Sequence, residues 1–476
     1  MFGKKKKFKL TAAILLLIFI YALHALYVIF AHTPSLELLS KNTISYSGLR
    51  AKVNSGNTRV SLIKVSLGTE ENLIYPIYEE SSLDKDFKEK FISIPLSPED
   101  EAVKFIKKNK LESLYIYYSI NYSNKFFDSD INKKIKISID FEPPSIKSVK
   151  TDSYLYLGGI GYVTYETSSD TYSSYVDTGL DNKFYPITRI NKDSISNLVY
   201  FTCGNKPCKN GKIKIIAEDL SGNSLVLFKK VKTLRNKKWK TSDIVIDLDF
   251  VRNKYNEIFN TNIETVSVDN FLELNLELRK KNNLEISSQT KKITKEPITL
   301  GKFFQLRNSK VFSRFSDKRN YFFDDMESSL MSTYHWGYDL SSIENAKVYA
   351  SSEGVVSFLS NDGLGIYGKT IVINHGLGFY SLYSHLSEIS VRVGDTVSSK
   401  VVIGKTGQSG LAFGDHLHFG SYIQGVPFDS NEIWDKKYFN QKVLSVYKNF
   451  INSKKINSNS EGRLKAEWLY TVSILF

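Results

Sequence analysis

Short runs of alternating apolar and polar residues, separated by turn signals, dominate two long parts of this 476-residue chain. Between residue 35 and about residue 240 they include "KIKISIDFEPP", "YLYLGGIGYVTYETS" and "GKIKIIAEDLSGNSLVLFKKV", with Gly, Asn or Pro at the turns. Because successive side chains of a strand point to opposite faces, a period of two favours half-buried strands over helices. The pattern predicts β-sandwich modules in this part of the chain.

Two modules are expected before residue 241. The stretch "AEDLSGNSL" resembles the closing hairpin of bacterial immunoglobulin-like domains. We therefore predict a β-rich spacer domain over residues 33–145 and an immunoglobulin-like β domain over residues 146–240.

The pattern changes after residue 240. Over 241–300, "DFVRNKYNEIFN", with Asp249 as its N-cap, and "VDNFLELNLELRKKNN" place apolar residues at helical spacing ahead of a Lys- and Thr-rich linker. Residues 301–435 are glycine-punctuated short strands, which predict a compact antiparallel sheet or barrel-like sandwich. Residues 436–476 form a C-terminal tail. The expected fold class is mainly β.

The N-terminus predicts a membrane anchor. The basic stretch "MFGKKKKFK" precedes Leu10 to Phe30, which carry no formal charge. As a helix, about 20 such residues cross the roughly 30 Å of bilayer hydrocarbon, and the lysines stay in the cytoplasm. This apolar run is longer than that of a cleaved signal peptide, and "VIFAHTPS" shows no small-x-small cleavage site. Residues 1–32 are therefore predicted to be a cytoplasmic stub and an uncleaved single-pass anchor.

The net charge of +14 does not indicate nucleic-acid binding, because the lysines are scattered and form no basic motif beyond the N-terminus. A polyanionic envelope suits this charge equally well. Cys203 and Cys208 are the only cysteines, in "FTCGNKPCKNG", and this stretch offers no further zinc ligands. A small local disulfide, permitted in an oxidising compartment, is the expected state.

Two histidine-containing motifs carry the chemistry. "YHWGYDLSS" places His335 four residues before Asp339, and "GDHLHFG" places His416 and His418 on the same face of a strand. A catalytic zinc takes three protein ligands and keeps one open position for water, so four candidates compete for three positions. A hydrolase also needs a base for the water and a donor for the oxyanion. His385, in "LYSHLS", is a further candidate.

The order of these motifs resembles a known family. His-x-x-x-Asp, Tyr-Ser-His-Leu, "GKTGQSGLAFGD" and His-Leu-His-Phe are similar to the lysostaphin-like, or LytM-type, zinc metallo-endopeptidases that cut peptidoglycan peptides. The resemblance covers roughly residues 300–435. Upstream stretches, including "LGGIGYVTY" and "FSRFSDKRNY", resemble membrane-anchored members from Gram-negative bacteria.

The resemblance implies a role for each candidate. His335, Asp339 and His418 would hold Zn²⁺, while His416 would act as general base and His385 would stabilise the oxyanion or the leaving amine. Residues 301–435 would be the zinc metallo-endopeptidase domain, and its partner would be the stem peptides of peptidoglycan. The expected location is the periplasmic side of the bacterial inner membrane, to which the N-terminal helix anchors the chain.

Other functions stay open at this point. Some proteins of this fold have lost metal ligands and serve as activators or scaffolds for other wall hydrolases. The full ligand set argues against that alternative, and the predicted anchor argues against a secreted lysin. The spacers either hold the catalytic domain at cell-wall distance or fold over the cleft and keep it latent. His375, in "INHGLG", is predicted to be a turn histidine near the cleft rim.

Overall fold

The computed structural model describes residues 16–24, 33–39, 43–56, 58–70, 74–81, 87–123, 128–152, 154–234, 239–294, 301–323 and 329–453. The chain forms two compact units. The first contains residues 1–144 and 218–224, and the second contains residues 145–217 and 225–476. The architecture is mainly β, as the alternating pattern predicted.

Helix α1 covers residues 16–24, which lie within the predicted membrane anchor. The rest of the Leu10–Phe30 run lies outside the described residues. Among the residues that are described, no helix is both long and apolar enough to span a bilayer. The transmembrane anchor therefore stays a prediction.

Two sheets and helix α2 follow α1 in the described part of the first unit. A five-stranded sheet has the order β2-β8-β7-β4-β5, and a three-stranded sheet has the order β1-β3-β6. Alternate residues of β7 are buried from Leu114 to Tyr122, which is the period of two seen in the sequence. The elements are β1 (Ser35–Leu38), β2 (Thr43–Ile44), β3 (Leu49–Asn54), β4 (Arg59–Gly68), β5 (Ile74–Ser81), β6 (Glu89–Ile94), α2 (Glu101–Lys108), β7 (Ser113–Ser123) and β8 (Asp128–Ile139).

The second unit begins with a β-sandwich. Its two four-stranded sheets have the orders β14-β15-β11-β9 and β13-β12-β16-β17, and β10 pairs with β18 beside them. A disulfide joins Cys203 to Cys208 after β15, as predicted, and both cysteines are buried. The strands are β9 (Ile146–Thr151), β10 (Tyr154–Tyr156), β11 (Ile160–Ser168), β12 (Thr171–Asp177), β13 (Lys183–Phe184), β14 (Ile187–Ile190), β15 (Ser194–Thr202), β16 (Lys212–Asp219), β17 (Ser224–Lys230) and β18 (Lys232–Leu234).

Helices follow the sandwich. Helix α3 covers Leu248–Phe259. Helix α4 (Val268–Leu272) continues through a π-helical segment, Glu273–Leu278, into α5 (Arg279–Gln289). The predicted N-cap Asp249 is wrong by two residues. Asp247 is extended and its side chain accepts hydrogen bonds from the Asp249 and Phe250 amides, so Asp249 lies in the first turn.

The C-terminal domain is a large antiparallel sheet with two smaller ones. The main sheet has the order β20-β23-β31-β27-β26-β25-β29, with β32 added to β31, and the smaller sheets have the orders β19-β21-β22 and β24-β30-β28. The strands are β19 (Thr241–Val245), β20 (Lys310–Ser313), β21 (Lys318–Phe322), β22 (Met331–Tyr334), β23 (Tyr338–Ser341), β24 (Lys347–Tyr349), β25 (Gly354–Ser360), β26 (Lys369–Gly376), β27 (Phe379–Leu386), β28 (Glu388–Ile389), β29 (Thr396–Val397), β30 (Val402–Lys405), β31 (Leu417–Ile423) and β32 (Val426–Phe428).

Short helices after β32 pack on both the sandwich and the main sheet. They are α6 (Asn431–Trp434), α7 (Lys436–Phe439), a π-helical segment at Asn440–Leu444 and α8 (Ser445–Asn452). Phe439, Val443 and Phe450 are buried in one cluster with residues of the sandwich and of the main sheet. The Tyr200 hydroxyl donates to the Val443 carbonyl at 2.8 Å. The first part of the predicted tail is therefore a packed element, while residues 454–476 lie outside the described residues.

His375 is a core residue and does not lie at a cleft rim, so its predicted position is wrong. Its side chain has no exposed surface. The ring contacts the Glu353 carbonyl through Nδ1 at 2.6 Å and the Ser381 hydroxyl through Nε2 at 2.7 Å. Burial disfavours the charged imidazolium and lowers the pKa of His375 from 6.5 to about 4.

This depressed pKa predicts a loss of stability in acid. As the pH falls from 6.5 towards 4, the unfolded chain takes up a proton at His375 before the folded chain does. The neutral His375 stabilises the fold fully above pH 6.5. Protonation of this residue as the pH falls to 4 lowers the free energy of unfolding by about 3 kcal/mol. Urea unfolding of His375→Gln should therefore show a shallower pH dependence than wild type over this range. Lys400→Gln, a change at an exposed lysine, is the control, and a slope unchanged by His375→Gln would contradict the assignment.

Candidate metal centre

Strand pairing brings the two histidine-containing motifs together. Strands β23 and β31 are antiparallel neighbours, and Asp339 lies directly opposite His418. Side chains of directly opposed residues leave the same face of a sheet, so these two groups converge. His335 directly follows β22 and lies three residues before β23. Its backbone amide donates to the Asp317 carbonyl at 3.0 Å.

Three ligand atoms meet at this place. The distances are 2.9 Å from His335 Nε2 to Asp339 Oδ1, 2.9 Å from His335 Nε2 to His418 Nδ1, and 3.1 Å from His418 Nδ1 to Asp339 Oδ1. All three residues are buried, with 5–8% of their surface exposed. In the part of the chain that the structure describes, this trio forms a group of side chains that could hold a metal ion.

The donor set fits a cation. His335 Nδ1 lies 3.0 Å from the Arg314 carbonyl, and a carbonyl only accepts, so that nitrogen carries the proton. The His335 Nε2 lone pair therefore faces the Asp339 carboxylate, with which it shares no proton. Two imidazole nitrogens and one carboxylate oxygen are a usual set for Zn²⁺, and a carbonyl partner on the outer nitrogen is what orients a metal-binding histidine.

The charges at the site favour a neutral imidazole pair around an ionised carboxylate. Burial lowers the pKa of His335, and it lowers the pKa of His418 to about 4. Burial alone would raise the pKa of Asp339, but the positive charge beside it, including the Arg319 guanidinium at 2.6 Å, holds it well below its ordinary value. Neutral histidines and an ionised aspartate are the protonation states that bind metal.

Gly337 lets the strand approach the ligands closely. A Cβ at this position would lie 2.4 Å from the Phe419 carbonyl oxygen and 2.9 Å from the His418 ring. Both distances are shorter than any tolerated carbon contact. The glycine between His335 and Asp339 is therefore required by packing against β31.

Two more histidines border the trio. The His416 ring Nε2 lies 3.6 Å from Asp339 Oδ1, and the His385 and His416 ring centroids are 4.8 Å apart. His416 Nδ1 faces the Gly414 carbonyl at 2.7 Å, and His385 Nδ1 faces the Ser409 carbonyl at 2.8 Å. Each Nδ1 thus donates to the backbone and each Nε2 is the nitrogen left for other chemistry.

His385 reaches the site through an unusual backbone conformation. Ser384 lies opposite His418, so regular alternation would send the next side chain to the other face of the sheet. His385 instead has a left-handed φ of 61°, and its ring lies 5.9 Å from that of His418. Such a conformation is uncommon for a residue other than glycine, and here it turns the His385 ring towards the metal ligands.

The sequence analysis missed Arg319. This residue on β21 donates from Nη2 to Asp339 Oδ2 at 2.6 Å and to the Ser313 hydroxyl at 3.1 Å. Asp339 thus accepts the guanidinium on one oxygen and faces the histidines with the other. The only signal in the sequence was an arginine in "SDKRNY", which nothing linked to the distant aspartate.

The helices after the sandwich contact the loops around the site. Glu257 on α3 accepts from the Gly410 amide at 3.0 Å, and Lys254 donates to the Gln408 carbonyl at 2.7 Å. Asn283 on α5 accepts from the Tyr367 hydroxyl at 2.8 Å, and the Tyr367 ring lies 5.6 Å from that of His418. The helical segment therefore braces residues next to the metal ligands.

Comparison with known proteins identifies the family of this region. Residues 333–430 match the family described as Peptidase family M23. The DD-carboxypeptidase/endopeptidase Mpg of Neisseria meningitidis serogroup B is 38% identical over 93 residues, which cover 20% of this chain and 21% of that protein. The peptidoglycan DD-endopeptidase ShyA of Vibrio cholerae is 35% identical over 96 residues, which cover 20% of this chain and 22% of that protein.

The crystal structure of a putative peptidase M23 from Pseudomonas aeruginosa aligns with 59% of this chain, across 94% of its own length. The sequence identity is 17% and the TM-score is 0.35. The chain spans about a fifth of the length of the curated relatives it matches. The family match confirms the predicted resemblance for the segment that holds the trio.

The contact between Arg319 and Asp339 predicts a loss of metal affinity in Arg319→Met. The guanidinium repels a metal ion, but it also fixes the carboxylate, and groups that orient a ligand are usually worth about 10- to 100-fold in affinity. We expect zinc affinity to fall by at least about tenfold. Competition with a chromophoric zinc chelator measures it.

Arg392→Met, at an exposed arginine, is the matched control and should leave the zinc affinity unchanged. Circular dichroism establishes that both variants are folded. An Arg319→Met variant that is folded and binds zinc as tightly as wild type would show that Asp339 needs no such support.

Proposed function

With residues 333–430 as a domain of peptidase family M23, the LytM-type family, we propose that the chain is a zinc-dependent endopeptidase that hydrolyses the peptide cross-links of peptidoglycan. The observation that carries this proposal is the meeting of His335, Asp339 and His418 with two further histidines beside them. A site that only held a structural metal would have no use for the additional pair.

Each residue of the site then has a distinct task. His335 Nε2, Asp339 Oδ1 and His418 Nδ1 hold the Zn²⁺ ion. The bound ion supplies Lewis acidity, which polarises the scissile carbonyl and acidifies water.

His416 accepts the proton of the attacking water at Nε2, because its Nδ1 is committed to the Gly414 carbonyl. His385, with Nδ1 on the Ser409 carbonyl, offers Nε2 to the oxyanion or to the leaving amine.

The substrate follows from the relatives. Two of them carry names that describe endopeptidases, one a DD-carboxypeptidase/endopeptidase and the other a peptidoglycan DD-endopeptidase. We assign the same class of substrate to this chain, namely stem peptides cross-linked through D-Ala and a diamino acid. The apolar run at residues 10–30 and the lysines before it support a single-pass inner-membrane anchor with the site in the periplasm.

A second candidate is a latent or non-enzymatic form that activates other wall hydrolases. The contacts that α3 and α5 make with residues 408–410 and with Tyr367 favour it, because they brace loops next to the ligands. Purified peptidoglycan distinguishes the two candidates. Chelator-sensitive release of peptide fragments, identified by mass, supports the enzyme, and a zinc-loaded protein that releases none supports the latent form.

Two substitutions separate the role of base from that of ligand. His416→Ala should lower the rate of peptidoglycan digestion by about a hundredfold or more, since a general base is lost, and should leave one zinc bound per chain. His418→Ala should lose the zinc itself, since one of three ligands is gone. Digestion rates and zinc stoichiometry by elemental analysis measure both effects.

His24→Ala, outside the site, serves as the control and should match wild type in both measurements. If His416→Ala lost zinc while His418→Ala kept it, the two assigned roles would be reversed.

A further inference from the structure

A cavity of about 520 Å³ lies in the second unit on the side of the sheet away from the metal ligands. Tyr338 lines this cavity, and Asp339 is its neighbour on β23. Successive side chains of a strand leave opposite faces, so a ligand in the cavity and a ligand at the metal centre contact different faces of the sheet. The volume is that of a site for a small molecule or for a side chain.

Six of the thirteen residues that line the cavity are aromatic. They come from the sandwich, from the segment before β19, from the main sheet and from α6 and α7, and they are Tyr156, Trp239, Phe315, Tyr338, Trp434 and Tyr438. Tyr338 and Trp434 meet edge to face with ring centroids 4.9 Å apart. The face of an aromatic ring carries negative partial charge, so rings gathered around one space attract a cation.

Carboxylates outnumber cations in the same lining. The charged residues are Asp317, Asp429, Glu432, Asp435 and Arg314. The chain as a whole has a net charge of +14, so an acidic cavity stands out against its surface. The charge of the lining complements a positively charged ligand.

Most of these carboxylates already serve the fold. Asp317 accepts from the Lys240 and Arg314 amides, at 2.9 Å and 2.8 Å. Asp429 accepts from the Tyr338 hydroxyl at 2.6 Å, and Asp435 accepts from the Tyr438 amide at 3.0 Å. They contribute negative charge from fixed positions.

Glu432 differs because it is buried and forms no direct ion pair with a described residue. It is 8% exposed, its Oε2 accepts from the Ile160 amide at 3.1 Å, and its side chain is also hydrogen-bonded to Tyr438. Burial raises its pKa to about 8. A buried carboxyl group of this kind becomes ionised at lower cost when a cation binds beside it.

Lys442 acts on Glu432 only through its charge, because its ammonium is paired with another carboxylate. Lys442 pairs with Asp152 at 2.6 Å, and its ammonium lies 6.0 Å from the ring centroid of Tyr438. Tyr438 therefore already meets one cation on its ring. The indole Nε1 of Trp434 is buried and has no acceptor within the described residues, which suits a ligand that also brings a carbonyl oxygen.

We propose that this cavity binds a primary ammonium group carried by an amino acid or a peptide. The aromatic side chains line the space that the cation enters, and the Glu432 carboxylate provides its counter-charge. The site does not depend on the peptidase activity proposed above, because Glu432, Trp434 and Tyr438 are neither metal ligands nor catalytic histidines. It is a second binding site in the same unit.

The test uses the full-length protein and small probes. Nα-acetyl-lysine methylamide carries the ammonium, Nα-acetyl-norleucine methylamide has a similar shape without charge, and N-acetylglucosamine represents a neutral sugar. Saturation-transfer NMR and calorimetric titration give the affinities. We expect saturable binding of the lysine probe, at least about tenfold tighter than that of the norleucine probe.

Two variants locate the binding. Glu432→Gln should weaken binding of the lysine probe by about tenfold or more and have little effect on binding of the norleucine probe. Trp239→Ala removes one aromatic side chain of the lining, leaves Glu432 in place, and should also weaken binding of the lysine probe. Glu388→Gln, at an exposed glutamate paired with Lys405, is the matched control and should leave the affinity unchanged.

Each other outcome overturns the proposal. Equal binding of the lysine and norleucine probes would make the cavity an apolar pocket, and preferred binding of the sugar would make it a carbohydrate site. Absence of saturable lysine binding to the folded wild-type protein would remove the site. Unchanged lysine binding in both folded cavity variants would place the binding elsewhere.

Discussion

The antiparallel pairing of β23 with β31 is the constraint on which the site depends. It sets Asp339 opposite His418, and the two-residue period of the strand then brings His416 to the same face. A slip of one residue in this register would send the carboxylate and the imidazole to opposite faces. The buried neighbours Tyr338, Leu417 and Phe419 hold the register, because a slip would also expose them.

The composition of the metal site could be predicted because ligand chemistry is restrictive. Few side chains bind zinc, and the motifs around His335 and His418 contain such residues at spacings that a strand can bring together. That chemistry left four candidates for three positions. The resemblance to the LytM-type family selected His335, Asp339 and His418, and the structure shows these three converging. The backbone of His385 and the contact of Arg319 could not be predicted. The first depends on a local φ that breaks alternation, and the second on a pairing of distant strands.

The fold was predictable to a similar depth. Period-two runs indicated the strands, and the two cysteines indicated their own disulfide. Errors arose where burial decides the outcome. His375 follows a strand pattern with glycine beside it, which suggests a surface turn, yet its hydrogen bonds to Glu353 and Ser381 satisfy it in the core. The N-cap of α3 shifted to Asp247 because two aspartates stand two residues apart and only backbone geometry chooses between them.

The helices that follow β32 extend the folded region beyond the residues that match peptidase family M23. The family match ends at residue 430, but Ile433, Phe439 and Val443 are buried in a cluster shared with the sandwich. A fragment expressed to the family limits would leave that cluster open and expose an apolar face to solvent. Limited proteolysis and recombinant expression should therefore recover the sandwich, the main sheet and the terminal helices as one cooperative folding block.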